Sequence, residues 1–496
     1  MQVLWANIAI CGWIHPSDSS TIHCITIPSS LPVKIILPFR IDEICLILLR
    51  GGLGPHKTTG TTSPDFSEII NKESKNQETI KRKKLTNHQV KNHLRAFNLT
   101  DEGLRRLMDI LQTNLVAALK SEQSGMMLPT FITETNTTIK SRAIALDMGG
   151  TRLMSFVATV LKQFLAKYNL LDNNLPLGFT FSFPCHHNTN SITSASLVAW
   201  TKEFSAYGYT NEDITNLLID ACLKEDIKLG IVTIINDTVG TLLACSLENE
   251  CQVGVVLATG FNVAYIEHGE NVSKLKNLQK KVKEISINTE VGAFSDLEAL
   301  EPYRTKFDRM LDDTTNNRRR QLFEKMVSAL YLVRKPNIIQ QLQKRNFFIT
   351  PTMTEIAENY RIYDKPLGRI QQLVNTDGTS LTDCKVLAVV CNSICSRSEL
   401  LAAAGVATVC RFIIRENITV GVDSSIFYSD SGLQRFEKKI ECFAEADKKI
   451  RLLRINEGSG RGAAALEANA IAEEKVVPQQ KEKYLPPQMR KKPQEQ

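Results

Sequence analysis

The sequence predicts an α/β protein, and two observations carry that expectation. Short apolar runs of strand length recur at 143–146, 177–183, 231–235, 253–257, 263–266 and 418–422. Helical patterns separate them, near 156–167, 211–224, 238–246, 322–342, 385–415 and 462–473. Alternation of this kind builds sheets covered by helices. A chain of 496 residues is long enough for more than one domain and a sizeable core.

The N-terminus comes first. Residues 1–15 are apolar but lack the basic start of a secretory signal and the Arg-rich face of a transit peptide. Residues 31–49 are apolar too, yet Lys34, Arg40, Asp42 and Glu43 interrupt them, which argues against a membrane span. Residues 1–84 are expected to be a poorly ordered extension or a wrongly assigned first exon, with an anchoring segment as the alternative. The run Lys81-Arg82-Lys83-Lys84 reads as a solvated lead-in to the next helix, with a targeting patch as its alternative.

Thr100 is placed to cap that helix, whose first turn carries Asp101 and Glu102. Leu104, Leu107, Met108, Leu111 and Leu115 then fall on one face at helical spacing. The alternating strands and helices follow. Residues 473–496 are rich in Pro, Gln, Lys and Glu, and a disordered tail is expected there.

Composition narrows the class. Apolar residues make up 43% and charged residues 23%, both ordinary for globular proteins. The net charge of +7, from 60 basic and 53 acidic residues, is a mild surface excess and gives no reason to expect nucleic acid. The 12 cysteines are scattered without a Cys-x-x-Cys pair. Cys391 and Cys395 share a helical face and read as buried reduced thiols rather than a metal or redox pair. That usage suits a reducing compartment. A cytoplasmic location is expected, with association at the mitochondrial outer surface left open.

Several short motifs carry chemistry. They are Leu-Asp-Met-Gly-Gly-Thr at 146–151, Leu-Pro-Leu-Gly-Phe-Thr-Phe-Ser-Phe-Pro-Cys at 175–185, Trp-Thr-Lys at 200–202 and Ile-Asn-Asp-Thr-Val-Gly-Thr at 235–241. Behind them come Thr-Gly-Phe-Asn at 259–262, Asn-Thr-Glu at 288–290, Gly-Val-Asp at 421–423 and Gly-Ser-Gly-Arg-Gly at 458–462. Glycines in the turn at 147–151 let backbone N–H groups approach a phosphate, although Asp and Gly also favour a plain hairpin turn. Asp237 follows the apolar strand Ile231–Ile235, where a carboxylate can face a cleft. On those residues alone it reads as the cap of the helix that begins at Thr238.

In this order the full set resembles the hexokinase family over roughly residues 85–472. The resemblance implies a two-lobed, actin-like and ribonuclease-H-like ATPase fold with a small and a large lobe around a cleft. Residues 128–235 plus 458–472 would form the small lobe, and 85–127 plus 236–457 the large lobe. It implies an ATP-dependent hexokinase making hexose 6-phosphate from glucose or a related hexose, with Mg2+ entering as MgATP. Asp237 becomes the base that accepts the 6-hydroxyl proton. The family's sugar ligands map onto Ser182, Thr201, Lys202, Asn236, Asp237, Asn262, Glu290 and Glu324, all with the expected residue type. Each alone would read as an ordinary polar residue. On the ATP side the resemblance assigns Asp147, Gly149, Gly150, Thr151, Arg152, Thr259, Gly260, Ser396 and Ser425, with Asp147 positioning magnesium through water.

The phosphate side departs from the family pattern. Arg152-Leu153-Met154 stands where Asn-x-Arg is usual, and Arg152 is read either as the displaced cation or as a solvated edge residue. Ala258 replaces a usual Gly, Leu330 and Val333 a usual Lys and Gly, Val291 a usual Trp, and Ser424 a usual Gly. Ala258 would crowd the chain if its position needed a positive φ. Only residues 155–174 separate the first phosphate turn from the strand at Leu175, where the family places two further strands, so a bared sheet edge is expected. A catalytically weak sugar-binding relative with a regulatory or structural role is therefore the alternative function.

Overall fold

The computed structural model describes residues 5–13, 22–26, 34–38, 44–52, 94–132, 143–148, 153–171, 174–188, 191–278, 281–332, 350–362, 381–427 and 429–476. The Lys81–Lys84 run and the tail beyond 476 lie outside them.

Two sheets organise the chain. The strands are β1 (Trp5–Trp13), β2 (Ile22–Thr26), β3 (Lys34–Pro38), β4 (Ile44–Gly52), β5 (Leu128–Pro129), β6 (Ala143–Met148), β7 (Leu177–Phe181), β8 (Cys185–His187), β9 (Ala195–Leu197) and β10 (Val232–Ile235). They continue with β11 (Val253–Leu257), β12 (Phe261–His268), β13 (Glu284–Asn288), β14 (Asn417–Ser424) and β15 (Lys449–Arg454). The first sheet has the order β1-β4-β6-β7-β10, with β6, β7 and β10 parallel. The second has the order β15-β14-β11-β12-β13-β5. Leu128 and Pro129, expected at the start of the small lobe, pair with Asn288 and Ile287 in this second sheet.

The strand positions expected from apolar runs coincide with β6, β7, β10, β11, β12 and β14. Among the described residues no strand lies between Met148 and Leu177, so the two strands usual in the family are missing there. The edge of β6 is nevertheless not bare, contrary to expectation. Strand β4, from the stretch read as a poorly ordered extension, runs parallel to it from the Ile44–Ala143 pair to Ile47–Leu146, and β1 adds antiparallel to β4. An unpaired edge leaves backbone groups that an apolar extended segment can satisfy.

The helices longer than one turn are α1 (Asp101–Lys120), α2 (Leu153–Lys167), α3 (Ile214–Lys224), α4 (Asp237–Ser246), α5 (Lys306–Asp313), α6 (Leu322–Val327), α7 (Thr350–Ile362), α8 (Leu381–Cys410), α9 (Asp430–Phe443) and α10 (Gly458–Val476). Thr100 caps α1 by accepting from the Gly103 N–H at 3.1 Å, and the predicted stripe Leu104–Leu115 is buried. The helix expected over 322–342 is broken instead. Ser328 takes an extended conformation after α6, and the Thr350 hydroxyl binds the Ala329 carbonyl beyond it at 2.7 Å. Tertiary contacts here override local helical pattern.

Each lobe has its own core. Helices α2 and α3 cover the first sheet through Leu161, Phe164, Leu218, Phe179 and Ile234. Helices α1 and α8 cover the second through Leu107, Leu111, Val406, Val263 and Ile287. Helix α8 is long and apolar enough to cross a membrane by length and composition, but most of it is buried in this core. Cys391 and Cys395 lie there as buried thiols. Burial first, then the neighbouring Cys395, pushes the Cys391 thiol well up from its ordinary value.

Helices α4 and α10 join the lobes. They share a small third core with Ile235, Val239, Leu243, Ala463 and Ala464. Glycines let them approach at backbone distance. A Cβ on Gly462 would sit 2.0 Å from the Gly240 carbonyl oxygen, and one on Gly240 2.7 Å from that of Ser459. The same α10 presses on β7, where a Cβ at Gly178 would meet the Ala463 oxygen at 2.3 Å.

Candidate active site

Both sheets aim strand ends at one cleft. From the small lobe, β7 ends at Phe181 and delivers Ser182. The loop that follows is set by aromatic packing. Trp200 lies 4.8 Å from Phe183 and 4.6 Å from Phe204, ring centre to ring centre, and its indole N–H donates to the Ala206 carbonyl at 2.8 Å. Packing of this kind fixes Thr201 and Lys202. Lys202 takes a left-handed conformation, φ 56°, which a non-glycine residue holds only when its surroundings impose it.

Strand β10 delivers Asn236 and Asp237. The helix cap is Asn236, whose Oδ1 accepts from the Thr238 N–H at 2.9 Å. Asp237 is the first helical residue instead, so the reading of Asp237 as the cap does not hold. Its Oδ1 accepts from the Thr238 N–H at 2.7 Å and the Thr238 hydroxyl at 3.0 Å. Its Oδ2 faces the cleft 3.5 Å from the Lys202 ammonium. That ammonium also donates to the Ser182 carbonyl at 2.8 Å.

The large lobe supplies the other wall. Asn262 lies one residue into β12, and its side-chain amide donates to Asn288 Oδ1 at 2.7 Å. Asn288 in turn donates to Glu290 Oε1 at 2.9 Å. Glu290 follows β13 in a left-handed conformation, φ 50° and ψ 38°. Glu324 sits in α6 and accepts from the Phe261 N–H at 3.1 Å. Gly260 gives the room for this, since a Cβ there would lie 2.6 Å from Lys202 Cε and 2.7 Å from Glu324 Oε2.

Ser182, Thr201, Lys202, Asn236, Asp237, Asn262, Glu290 and Glu324 line one narrow cavity of about 10 Å³. The sequence reading named all of them and missed Asn288, which orients two of them. Its only signal was the Asn-Thr-Glu run in which Glu290 was recognised. Burial pushes the carboxyls of both Glu290 and Glu324 up to about 7. The Asn288 amide works against that shift at Glu290, and the Lys202 charge works against it at Glu324. The cavity thus brings hydroxyl and amide groups, one ammonium and three carboxyl groups together at one point of the cleft. That donor set matches a polyhydroxyl ligand, whose hydroxyls both donate and accept.

Known proteins agree with this geometry. A family model described as hexokinase matches residues 252–469, and a second, also described as hexokinase, matches 89–154 and 151–247. A hexokinase of Schistosoma mansoni is 30% identical over 436 residues, covering 76% of this chain and 96% of the relative. The chain belongs to the hexokinase family.

Hexokinase-1 of Homo sapiens is 31% identical over 450 residues, 77% of this chain but 48% of that protein, so the chain spans about half its length. A solved hexokinase from Schistosoma mansoni, complexed with glucose, superposes with a TM-score of 0.71 at 29% identity, covering 77% of this chain and 98% of that one. The second family match comes in two pieces that meet at residues 151–154.

The nucleotide side is less fully placed. Asp147 lies in β6 opposite Thr180 of β7, at the cleft end of the sheet. Gly149, Gly150, Thr151 and Arg152 lie outside the described residues, as does Val333. Thr259 and Gly260 form the β11–β12 turn, where the Ala258 N–H donates to the Gly260 carbonyl at 2.9 Å. Ala258 is not among the residues with positive φ, so the crowding expected from its methyl group does not arise. Val291 is fully buried in the large-lobe core. Ser396 is half-buried on α8 and Ser425 is exposed after β14. The Ser424 hydroxyl donates to the Leu257 carbonyl at 2.8 Å and so ties β14 to the turn.

Proposed function

We propose that this hexokinase relative transfers the γ-phosphate of ATP to the 6-hydroxyl of glucose or a related hexose. The observation that carries the reading is the convergence of all the sequence-assigned sugar ligands, from both lobes, on one cavity. Asn262, Glu290 and Glu324 on the large lobe, with Ser182, Thr201 and Lys202 on the small lobe, would hold the sugar hydroxyls. Asp237 stands between them with Oδ1 already bonded to Thr238, which leaves Oδ2 as the oxygen to take the 6-hydroxyl proton. The Lys202 ammonium lies 3.5 Å from that oxygen, and a base must stand within such reach of the proton it takes. Lobe closure around the sugar would exclude water and align the hydroxyl with the phosphate.

Magnesium would arrive with the nucleotide. Among the described residues no group of His, Cys, Asp and Glu could hold a metal alone. Asp147, near the end of β6, would help position it through water, and Mg2+ is commonly held by one or two carboxylates plus substrate phosphates. Bound there, it would neutralise charge on the transferring phosphoryl group.

A second reading is favoured by one observation, the broken family match at 151–154, which falls at the phosphate turn. On it the chain binds hexose but turns over poorly. A coupled assay with glucose and MgATP, beside a glucose titration without nucleotide, separates the readings. We expect glucose binding, and turnover that is absent with 6-deoxyglucose, which lacks the acceptor hydroxyl. Binding without turnover selects the second reading, and no binding rejects both.

A further inference from the structure

Glu203 follows the sugar-site residue Lys202 and shows features that the site itself does not require. It is on a loop, yet only 6% exposed. Like Lys202 it is left-handed, φ 59°, so two consecutive non-glycine residues are held in a conformation they disfavour. Its carbonyl accepts from the Asn316 side-chain amide at 3.0 Å, a bond from the small lobe to the large.

The large-lobe partner is braced from within. Asn316 lies in the loop between α5 and α6, under which the Lys325 ammonium donates to Asp312 at 2.7 Å, Thr315 at 2.8 Å and the Asn317 carbonyl at 2.9 Å. Asp312 also accepts from the Arg319 N–H and faces Arg304 at 3.6 Å. Lys325 is 2% exposed. Burial holds its pKa down, while Asp312 first and then Glu203 act in the opposite direction. The Glu203 carboxylate therefore sits within electrostatic reach of Lys325. The symmetry is specific: Glu203 neighbours the small-lobe ligand Lys202, and Lys325 neighbours the large-lobe ligand Glu324.

We propose that Glu203 and the Asn316 loop form a clasp that holds the cleft closed over its ligand. The inference rests on the hexose-binding reading above. Any opening that parts Lys202 from Glu324 carries Glu203 away from Asn316 and Lys325, because each is anchored beside its lobe's ligand. The clasp therefore exists in the closed state and is lost in the open one. Contacts made in one state only shift the equilibrium between the two, and apparent affinity shifts with it. Glu203 is in this sense a positioning residue that acts through Lys202.

The test measures glucose affinity without nucleotide, and compaction by small-angle scattering, for the full chain and for Asn316→Ala, Glu203→Gln and Glu203→Asp. Asn316 is exposed, so its truncation leaves the core intact. Asn316→Ala and Glu203→Gln should each weaken glucose binding about threefold to tenfold, the size of one net hydrogen bond. Their sugar-free melting temperatures should stay unchanged, and Glu203→Asp should recover part of the affinity. Wild-type affinity in both Asn316→Ala and Glu203→Gln would overturn the clasp while leaving the hexose site standing. Failure of the unsubstituted chain to bind glucose would instead remove the underlying reading, and the clasp with it.

Discussion

Gly462 of α10 rests directly on the backbone of Gly240 in α4, so closely that a methyl group at 462 would lie 2.0 Å from the Gly240 carbonyl oxygen. The contact joins the helix that begins at Asp237 to the helix that closes the small lobe, at the junction of the two lobes. Gly462→Ala should force these helices apart. Overpacking of this kind costs about 1–3 kcal/mol, well above the gain in helix propensity from Gly to Ala of about 1 kcal/mol at most. A lower urea midpoint with an unchanged slope is expected. An unchanged midpoint would mean that the contact is slack.

Hexose binding should depend on pH through Glu290 and Glu324. Burial pushes both carboxyls up to about 7, from the ordinary 4.5. A folded-state value above the unfolded one means that the folded chain holds extra protons between the two. Their contribution to stability is therefore full below about 4.5 and lost as pH rises through about 7. The melting temperature of the sugar-free protein should accordingly fall between pH 5 and 8 less steeply in Glu290→Gln than in the unsubstituted chain. Sugar hydroxyls that donate to the ionised carboxylates pull the other way, so glucose affinity should rise over pH 6 to 8, with proton release. Affinity that is flat or falling over that range would show that the carboxyls bind sugar in the neutral form.

Arg397 is a structural residue despite its place beside the nucleotide-side Ser396. It is 2% exposed and forks onto Asp308 at 2.8 and 3.2 Å, and onto the Tyr303 carbonyl at 2.8 Å. Asp308 also closes the capping box of α5 with Thr305. Arg397→Ala strands a buried carboxylate, and losses of about 3–5 kcal/mol are typical of such a break. Chemical denaturation should show that loss. A change below about 1 kcal/mol would place the pair in water rather than in the core.

Much of this was legible in the sequence, for identifiable reasons. The stripe Leu104–Leu115 and its Thr100 cap are local patterns, and both appear as read. The sugar ligands are scattered, but all except Glu324 of α6 sit in short motifs whose order along the chain could be read, and the fold brings them to one cavity. What was misread needed tertiary information. Asn236 rather than Asp237 caps α4, a choice between two capable neighbours that only the strand's exit direction decides. The break at Ser328 depends on contacts from distant residues, including the Ser398 hydroxyl on the Val327 carbonyl at 2.6 Å. Strands β13 and β15 alternate polar with apolar residues, as in Lys449-Ile-Arg-Leu-Leu-Arg454, and so lack the continuous apolar runs by which the other strands were read. The role of Asn288 depends on two neighbours it meets only in the folded sheet.

The most direct test of the central claim compares turnover and glucose affinity in the unsubstituted chain and in Asp237→Asn, measured on the same preparations. The amide keeps the shape beside Thr238 and Lys202 but cannot take the hydroxyl proton. The account predicts a fall in kcat of about 10²–10⁴-fold, the usual worth of a general base, with glucose affinity nearly retained. An Asp237→Asn variant that turns over at the unsubstituted rate would contradict it.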